Sequence, residues 1–429
     1  MRFENWKSLG IGLLLTCVCL FGQMQIENSA ADNIAQVGDT VTFTVSGLAD
    51  MPEQLHGQLV TNMLKYEKLQ FDRKGKSQIV YKTKVKDPGV ILLAVCAQKD
   101  FGGDFKNAVR STVAVSPEKV KPSSSAAKDT LAYWENMKKE MAKIPATPKL
   151  KLISDKDGVE LYEFEIDAGE GELGSPAGIK AIGYMGKPVG DGPFPAIISF
   201  YGAGSFEAYK GDALRFAKMG AMSWSLNPHP LPNDTPQDVR DEYRKGKRAP
   251  LAGYNQFGKD TRREDVYFNG MFKRDYQVVQ AIKQSPYWNK KELVVRGFSQ
   301  GGAQSLATAF LCPEVTALAP QCPAMCDIAG NLVGRKSGWP FWVKTPEDKK
   351  QLEISRSFDM VNFAPHMKAK MLVAAGLRDG ACPPAGQMAL FNEYAGPKEI
   401  VFMPDVGHGK NDDWTRREWD FLREALGLN

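Results

Sequence analysis

Apolar and polar residues alternate along the early part of the chain, between about residues 35 and 117. In the segment 39–45, Val41, Phe43 and Val45 fall on one face and threonines on the other, which is the period-two pattern of a half-buried strand. Similar runs follow, separated by Lys-Asp-Pro-Gly and Asp-Phe-Gly-Gly turns. Roughly six or seven such strands without a helical stretch predict a small all-β, immunoglobulin-like sandwich over residues 32–118.

The periodicity changes after a segment rich in proline, serine and alanine at 119–128, which we interpret as a linker. Residues 129–144 have a helical pattern with Asp129 as the candidate N-cap. Farther on, short apolar runs alternate with helical patterns. The runs are 195–202, 221–227, 292–297, 315–320, 370–376 and 399–404. This alternation predicts an α/β fold over residues 129–429, with a mostly parallel sheet and helices on both faces.

The first 31 residues have the pattern of an export signal. Arg2 and Lys7 precede an apolar stretch at 9–22 that is too short to span a bilayer, and small residues follow up to Ala31. We therefore predict a signal peptide at 1–31 and a secreted or periplasmic protein. Lipoprotein anchoring at Cys17 is the less favoured alternative, because Thr16 stands where a smaller residue is usual. No later segment is apolar for long enough to predict a membrane span.

Composition narrows the choice of function without deciding it. The chain has 429 residues, 43% of them hydrophobic and 24% charged, which is ordinary for a globular protein. A net charge of +5 is small for this length, and no block of basic residues is present. Nucleic acid is therefore not an expected partner.

Seven cysteines are present, and Cys17 and Cys19 fall in the predicted signal. An odd number remains, which excludes a framework in which every cysteine is paired. Cys322 and Cys326 are close in sequence, but no second pair or histidine cluster accompanies them, so a zinc site is not expected. We expect buried structural thiols. They are Cys96, Cys312, Cys322, Cys326 and Cys382.

The stretch Gly-Phe-Ser-Gln-Gly at 297–301 carries the candidate chemistry. It follows an apolar run and precedes an alanine-rich helical pattern, and this is the context of a nucleophile elbow. On such a sharp turn side chains would collide, so Gly297 and Gly301 flank Ser299. The helix N-terminus also favours developing negative charge. The alternative is a tight turn whose serine only caps the helix.

A serine nucleophile needs a base, and the predicted fold places it on the loop after the last strand. His408 follows the last apolar run and is the candidate. His56 belongs to the predicted sandwich, and His366 precedes the strand at 370–376 and so lies at the other end of the sheet.

The acid that orients the base is expected after the preceding strand. Asp379 occupies that position, and Asp405 is the competitor, although it is close to His408 along the chain. An acyl transfer also needs N–H donors for the oxyanion. The candidates are the backbone N–H of Gln300 and, from the small residues 202–204, that of Ala203.

From about residue 130 onward the chain resembles the acetyl xylan esterase / cephalosporin C deacetylase family of α/β-hydrolases. The resemblance rests on Arg-Gly-Phe-Ser-Gln-Gly at 296–301, Asp-x-x-Cys-Pro-Pro at 379–384 and the segment 398–409. It implies a serine esterase that removes acetyl groups from xylan or related carbohydrates and needs no cofactor or metal. It also implies triad positions for Ser299, Asp379 and His408 and a structural role for Cys382. Members often form ring-like oligomers, so a homo-oligomer is a further expectation.

Two stretches depart from the family pattern. Tyr201-Gly202-Ala203 stands where the family has His-Gly-Tyr, and residues 225–234 replace an Arg-Gly-Gln-Gly loop. Four side chains are candidates for substrate contact. They are Tyr201, His229, Trp339 and Trp342. His229 is alternatively an ordinary loop residue, and the tryptophans are alternatively core or oligomer contacts.

The leading hypothesis is a secreted esterase that deacetylates an acetylated oligosaccharide or polysaccharide. A second keeps the serine chemistry but changes the substrate to another acyl ester or a peptide. A third is a glycan-binding surface protein whose hydrolase domain is inactive and whose sandwich binds.

Overall fold

The computed structural model describes residues 24–102, 105–169, 179–245, 254, 257 and 260–428. The chain divides into two compact units, Met1–Lys119 and Val120–Asn429. No helix in the described part combines the length and the apolar character that crossing a membrane requires. Residues 1–23, most of the predicted signal peptide, lie outside the described residues.

The first unit is all-β. Its strands are β1 (Gln25–Asn28), β2 (Ile34–Ala35), β3 (Thr40–Ser46), β4 (Gln54–Thr61), β5 (Lys65–Asp72), β6 (Ile79–Lys84), β7 (Gly89–Cys96) and β8 (Val109–Val115). They form a three-stranded sheet, β1-β3-β6, and a five-stranded sheet, β2-β8-β7-β4-β5. All pairings are antiparallel except β2 with β8. Phe43 of the first sheet and Leu93 of the second share one core, which confirms the predicted sandwich.

The sandwich begins earlier than the sequence suggested. Strand β1 pairs with β3 over its whole length, and Met24 is buried in the shared core. Asn28 donates hydrogen bonds to Ser111 of β8 and to Asn33. Residues 24–31, which fall within the predicted signal, are therefore part of the fold, and cleavage ahead of Met24 would retain them.

The second unit contains a nine-stranded sheet. Its strands are β9 (Lys149–Ser154), β10 (Val159–Asp167), β11 (Lys180–Pro188), β12 (Phe194–Phe200), β13 (Met222–Leu226), β14 (Trp288–Phe298), β15 (Ala317–Gln321), β16 (Lys370–Gly376) and β17 (Lys398–Met403). Their spatial order is β17-β16-β15-β14-β12-β13-β11-β10-β9. Strands β12 to β17 are mutually parallel, and β9, β10 and β11 form an antiparallel edge.

Helices of the second unit lie between and after these strands. They are α1 (Thr130–Met141), α2 (Lys210–Lys218), α3 (Gln237–Lys245), α4 (Tyr267–Gln284), α5 (Gln300–Leu311), α6 (Lys349–Ser355), α7 (Met360–Phe363), α8 (Pro384–Glu393) and α9 (Asp412–Ala425). Short 3₁₀ turns occur at Arg263–Asp265, Gly330–Val333 and Ala364–His366.

The parallel part of the sheet is covered on both faces. Ile197, Val294 and Leu372 share a core cluster with Phe216 of α2 and with α9, while the intervening strand residues are equally buried. Because successive side chains of a strand point to opposite faces, both faces must be covered, and helices α4, α5 and α8 also pack against the sheet. This confirms the predicted α/β fold with a mostly parallel sheet.

The antiparallel edge was not predicted from the pattern. In β9 lysine and leucine alternate at 149–152, but the side chains of Leu150, Leu152 and Ile153 are exposed, so the alternation does not produce a buried face. Its pairing with β10 is decided by tertiary contact rather than by local sequence.

The predicted linker at 119–128 is held to the second unit. Val120 is fully buried, and its carbonyl accepts from the Asn392 side chain at 2.9 Å. The backbone N–H of Ser123 donates to Asp327 at 2.7 Å. The predicted linker is therefore an ordered segment, because a polar segment orders when its backbone groups find fixed partners.

We predict that a chain beginning at residue 24 is more stable than one beginning at residue 32. The shorter chain loses the β1–β3 hydrogen bonds and the burial of Met24. Thermal unfolding of the two purified chains measures the difference, which we expect to be several degrees for a domain of this size. Equal midpoints for the sandwich transition would contradict the assignment of β1.

Helix α4 carries a buried carboxyl, Asp275, that is fully inaccessible. Its Oδ1 accepts from Gln304 of α5 at 2.9 Å, and its Oδ2 has no hydrogen-bond partner among the described residues. Burial raises the pKa of Asp275 to about 8, against smaller opposing effects of Arg274 and Gln304.

We predict that Asp275→Asn stabilises the protein increasingly as pH rises. Between its ordinary pKa near 4 and the raised value, the unfolded chain has lost the Asp275 proton while the folded chain keeps it. Stability therefore falls through this window, by up to about 1.4 kcal/mol per pH unit, and the asparagine removes that loss while keeping the acceptor for Gln304. Unfolding in urea at pH 5 and pH 9 tests this. A difference between variant and wild type that does not grow with pH would refute it.

Candidate active site

Ser299 lies on a strained turn between β14 and α5. Its backbone has φ 59° and ψ −116°, in a region that residues other than glycine rarely adopt. A Cβ on Gly301 would lie 2.5 Å from the carbonyl carbon of Phe200 at the end of β12, and a Cβ on Gly297 would lie 2.2 Å from the oxygen of Gly301. The two glycines are therefore required by close backbone packing.

The structure brings Ser299, His408 and Asp379 into one hydrogen-bonded chain. His408 Nε2 lies 2.9 Å from Ser299 Oγ, and His408 Nδ1 lies 2.8 Å from Asp379 Oδ2. Asp379 is fully buried directly after β16, whereas His408, after β17, is open to solvent. Asp405, the competing acid, is instead an exposed ion-pair partner of Arg378.

Neighbouring groups orient Asp379 and His408. Asp379 Oδ1 accepts from the N–H groups of Ala381 and Cys382, each at 2.8 Å, which leaves Oδ2 for the imidazole. The His408 ring packs against Phe298, with centroids 4.6 Å apart. A carboxylate held in this way fixes the tautomer of the ring, so Nε2 is free to accept the Ser299 proton.

Cys382 lies beside this chain of groups, with its Sγ 3.9 Å from Ser299 Oγ. Burial raises the pKa of the Cys382 thiol well above its ordinary value, so the neutral form dominates. Asp379, Cys382 and His408 present donor atoms within 4.8 Å of one another, a spacing that a metal could use. The chemistry fits poorly, because the thiol is protonated and the carboxylate and imidazole already bind each other.

The remaining cysteines of the described residues are also buried thiols. They are Cys96, Cys312, Cys322 and Cys326.

Two backbone segments meet beside Ser299. Gln300 is the first residue of α5, whose first N–H groups have no acceptor within the helix. Ala203 lies on the exposed segment after β12. A Cβ on Gly202 would contact the ring of Phe298 at 3.5 Å, so this segment lies against the residue preceding the serine. The positions are compatible with two N–H donors near the Ser299 oxygen.

Hydrogen bonds fix the segment that carries Ala203 at both ends. At its start, the Tyr201 hydroxyl lies 3.0 Å from Asp212 and 3.2 Å from Ser225. At its end, the N–H of Ala208 donates to the side chain of Asn227 at 2.8 Å.

Three of the four side chains proposed for substrate contact are buried. Tyr201 turns its hydroxyl toward Asp212 and Ser225. Trp342 is buried, and its indole N–H donates to the carbonyl of Tyr254.

His229 is buried with both ring nitrogens beside tyrosine hydroxyls. These placements correct the expectation of direct contact, because a ligand cannot reach groups whose polar atoms are already paired inside the protein. Trp339 is partly exposed and packs edge-on against Tyr254.

Sequence reasoning missed three residues of the site. Tyr254 contacts the Gln300 side chain, Phe298 packs on His408, and Gln321 donates to the carbonyl of Gly409 at 2.8 Å. Gln321 lies at the carboxyl end of β15, next to the end of β14, and functional side chains often lie at this end of parallel strands. Tyr254 carries no such positional signal.

Comparison with known proteins identifies a matching family and curated relatives. The model of the family "Acetyl xylan esterase (AXE1)" matches residues 117–425. The acetyl esterase Axe7A of Xylanibacter ruminicola is 28% identical over 331 residues, covering 75% of this chain and 71% of that protein. The family match begins near the boundary between the two units and leaves the sandwich out.

Solved structures share the fold of the second unit. An acetyl xylan esterase from Paenibacillus sp. R4 superposes with a TM-score of 0.59 at 21% identity, covering 73% of this chain and 98% of that one. Acetyl xylan esterase 1 from Thermoanaerobacterium sp. JW/SL YS485 gives 0.59 at 22% identity, with 72% and 97% covered. Both are α/β-hydrolase esterases.

We predict that Asp379→Asn lowers kcat for a simple acetyl ester by about 10³- to 10⁴-fold. The asparagine keeps an acceptor for the two backbone N–H groups, but its NH₂ faces Nδ1 and forces the proton onto Nε2, which then cannot accept from Ser299. Asp405→Asn is the matched control, since it removes the other nearby carboxylate. Hydrolysis of p-nitrophenyl acetate measures both, and equal losses in the two variants would show that Asp379 has no special role.

Proposed function

The chain belongs to the acetyl xylan esterase family and is a serine carboxylic ester hydrolase, and from this premise we propose that it removes acetyl groups from xylan or a related carbohydrate through an acyl-enzyme on Ser299. The observation that carries the proposal is the hydrogen-bonded series Ser299–His408–Asp379, with links of 2.9 and 2.8 Å at a solvent-accessible histidine. The identities of the acyl group and of the sugar are part of the proposal.

In the first step, Ser299 Oγ attacks the acetyl carbon while its proton passes to His408 Nε2. The carbonyl oxygen becomes an oxyanion, which the N–H groups of Gln300 and Ala203 would stabilise. Asp379 stabilises the imidazolium without taking up the proton. The ester C–O bond then breaks, and His408 gives the proton to the departing sugar oxygen, which leaves as a hydroxyl.

In the second step, water replaces the sugar. His408 accepts a proton from the water while the water oxygen attacks the carbonyl carbon of the acetyl group, and a second tetrahedral species forms. Acetate then leaves, and Ser299 recovers its proton from His408. The partly exposed ring of Trp339 offers an apolar surface against which a sugar face could pack.

We further propose that the protein is exported. The support is the basic and then apolar N-terminal sequence, in which residues 9–22 are too short to span a membrane. An extracellular or periplasmic location would bring the enzyme to a polymeric substrate that does not enter the cytoplasm.

We predict that the wild-type protein releases acetate from acetylated xylo-oligosaccharides and that Ser299→Ala reduces this release by more than about 10⁴-fold. The loss follows because the variant lacks the hydroxyl that lies within hydrogen-bond distance of His408 and forms the proposed acyl-enzyme. Ser223→Ala is the matched control: this serine of β13 is equally buried, and its hydroxyl has no hydrogen-bond partner among the described residues. We expect the control to keep full activity.

The other outcomes separate the alternatives. Cleavage of p-nitrophenyl acetate without release from the oligosaccharide would keep the serine chemistry and reject the sugar substrate. Retained activity in Ser299→Ala would reject the nucleophile. A wild-type protein inactive on every ester would favour a glycan-binding protein, and loss of glycan binding on deletion of the sandwich would then support it.

A further inference from the structure

One hydrogen bond holds the side-chain amide of Gln300 among the described residues. Gln300 is fully buried, and its Oε1 accepts a hydrogen bond from the Tyr254 hydroxyl at 2.7 Å. Its Nε2 has no hydrogen-bond partner among the described residues. Within the described part of the chain, the hydrogen bond that holds this amide therefore comes from the hydroxyl group of a residue distant in sequence.

Tyr254 is in turn fixed by hydrogen bonds and by packing. Its hydroxyl oxygen lies 3.2 Å from His229 Nε2, and His229 Nδ1 makes a short contact with the Tyr267 hydroxyl. Arg274 donates to that same hydroxyl at 3.5 Å and to the carbonyl of Pro228 at 3.1 Å.

Aromatic rings surround the Tyr254 ring on several sides. Their centroids lie between 4.8 and 6.0 Å from its own, and they are those of Tyr267, Phe268, Trp339 and His229.

One direction of donation satisfies all of these contacts. Arg274 has only donors, so the Tyr267 oxygen accepts from it and the Tyr267 O–H points to His229 Nδ1. The proton of the neutral ring is then on Nε2, which donates to the oxygen of Tyr254. The Tyr254 O–H is left to donate to Gln300. In this arrangement His229 is neutral.

The surroundings of His229 keep it in that state. Burial in the first place, and the nearby Arg274 cation in the second, lower the pKa of His229 well below its ordinary value. A protonated ring would carry a hydrogen on Nδ1, so the Tyr267 hydroxyl could no longer donate to that nitrogen.

His229 belongs to a loop that also supports the other candidate oxyanion donor. The loop 227–233 follows β13 and lies within the stretch 225–234, which departs from the family pattern. Its first residue, Asn227, accepts from the N–H of Ala208 and donates to Leu231 and Asn233. One loop therefore contacts the segment that carries Ala203 and, through His229, the residue that anchors Gln300.

We propose that Tyr254, aligned by His229, is a positioning residue that holds Gln300 so that its backbone N–H meets the oxyanion. This rests on the proposed function, which assigns that N–H its role. Gln300 follows the strained Ser299 directly, so a shift of its buried side chain would displace the first turn of α5 and the donor with it. Small displacements at a reacting centre are costly in rate.

The test combines Tyr254→Phe, Gln300→Met and the double variant. The phenylalanine removes only the hydroxyl and keeps the ring packing. The first readout is the labelling rate of Ser299 by a fluorophosphonate probe. In that reaction the Ser299 oxygen bonds to phosphorus, fluoride leaves, and the hydroxyl proton passes to His408. The second readout is kcat and KM for p-nitrophenyl acetate, and the third is acetate release from acetylated xylo-oligosaccharides.

We expect Tyr254→Phe to slow labelling and to lower kcat about tenfold, while KM changes by less than about twofold. Because Tyr254 acts through the Gln300 side chain, the double variant should be no slower than Gln300→Met alone. Tyr394→Phe is the matched control, since it removes another buried hydroxyl, one that donates to Ala369 at 2.7 Å away from the site. We expect it to label at the wild-type rate.

Three results would overturn the inference: an unchanged labelling rate in Tyr254→Phe, multiplicative losses in the double variant, or an equal loss in Tyr394→Phe. Should Tyr254→Phe fail to fold, Tyr267→Phe removes the donor to His229, and an unchanged rate there has the same meaning. If no acetate is released from the oligosaccharide but labelling still slows, the proposed substrate fails and the positioning role stands.

Discussion

The close approach of the first turn of α5 to the end of β12 is the constraint on which the site depends. There is no room for a side chain at Gly301 beside Phe200, or at Gly297 beside the Gly301 carbonyl. The chain between them must therefore turn sharply, and Ser299 takes a backbone conformation that most residues avoid. The packing of the surrounding sheet holds this strain in place, and the turn presents the hydroxyl toward His408.

Buried polar groups form the second layer of order around that turn. Asp379 is inaccessible to water and gains two backbone donors besides the His408 ring, so its negative charge is compensated at fixed positions. On the other side, hydrogen bonds link the buried polar side chains of Arg274, Tyr267, His229, Tyr254 and Gln300 in series. Such networks are stiff, because losing one member leaves the next unpaired.

The local pattern predicted the parallel strands well, since fully buried strands are runs of apolar residues whatever their neighbours are. It missed β9, whose leucines alternate with lysines but are exposed, and it missed the order of the segment 120–128, whose polar backbone is held by partners distant in sequence. The loop residue His229 was misjudged for a similar reason. Nothing in its neighbours along the chain indicates that it would be buried beside Tyr254 and Tyr267.

By itself the sequence determined the fold class, the turn at Ser299 and the candidates that follow the last two strands, because these depend on local periodicity, on glycine spacing and on chain order. The tertiary structure decided between Asp379 and Asp405, since that choice depends on which carboxylate reaches the imidazole. It also decided which aromatic rings are buried and what anchors Gln300. Those contacts join residues far apart in the chain, and only the folded backbone fixes their distances.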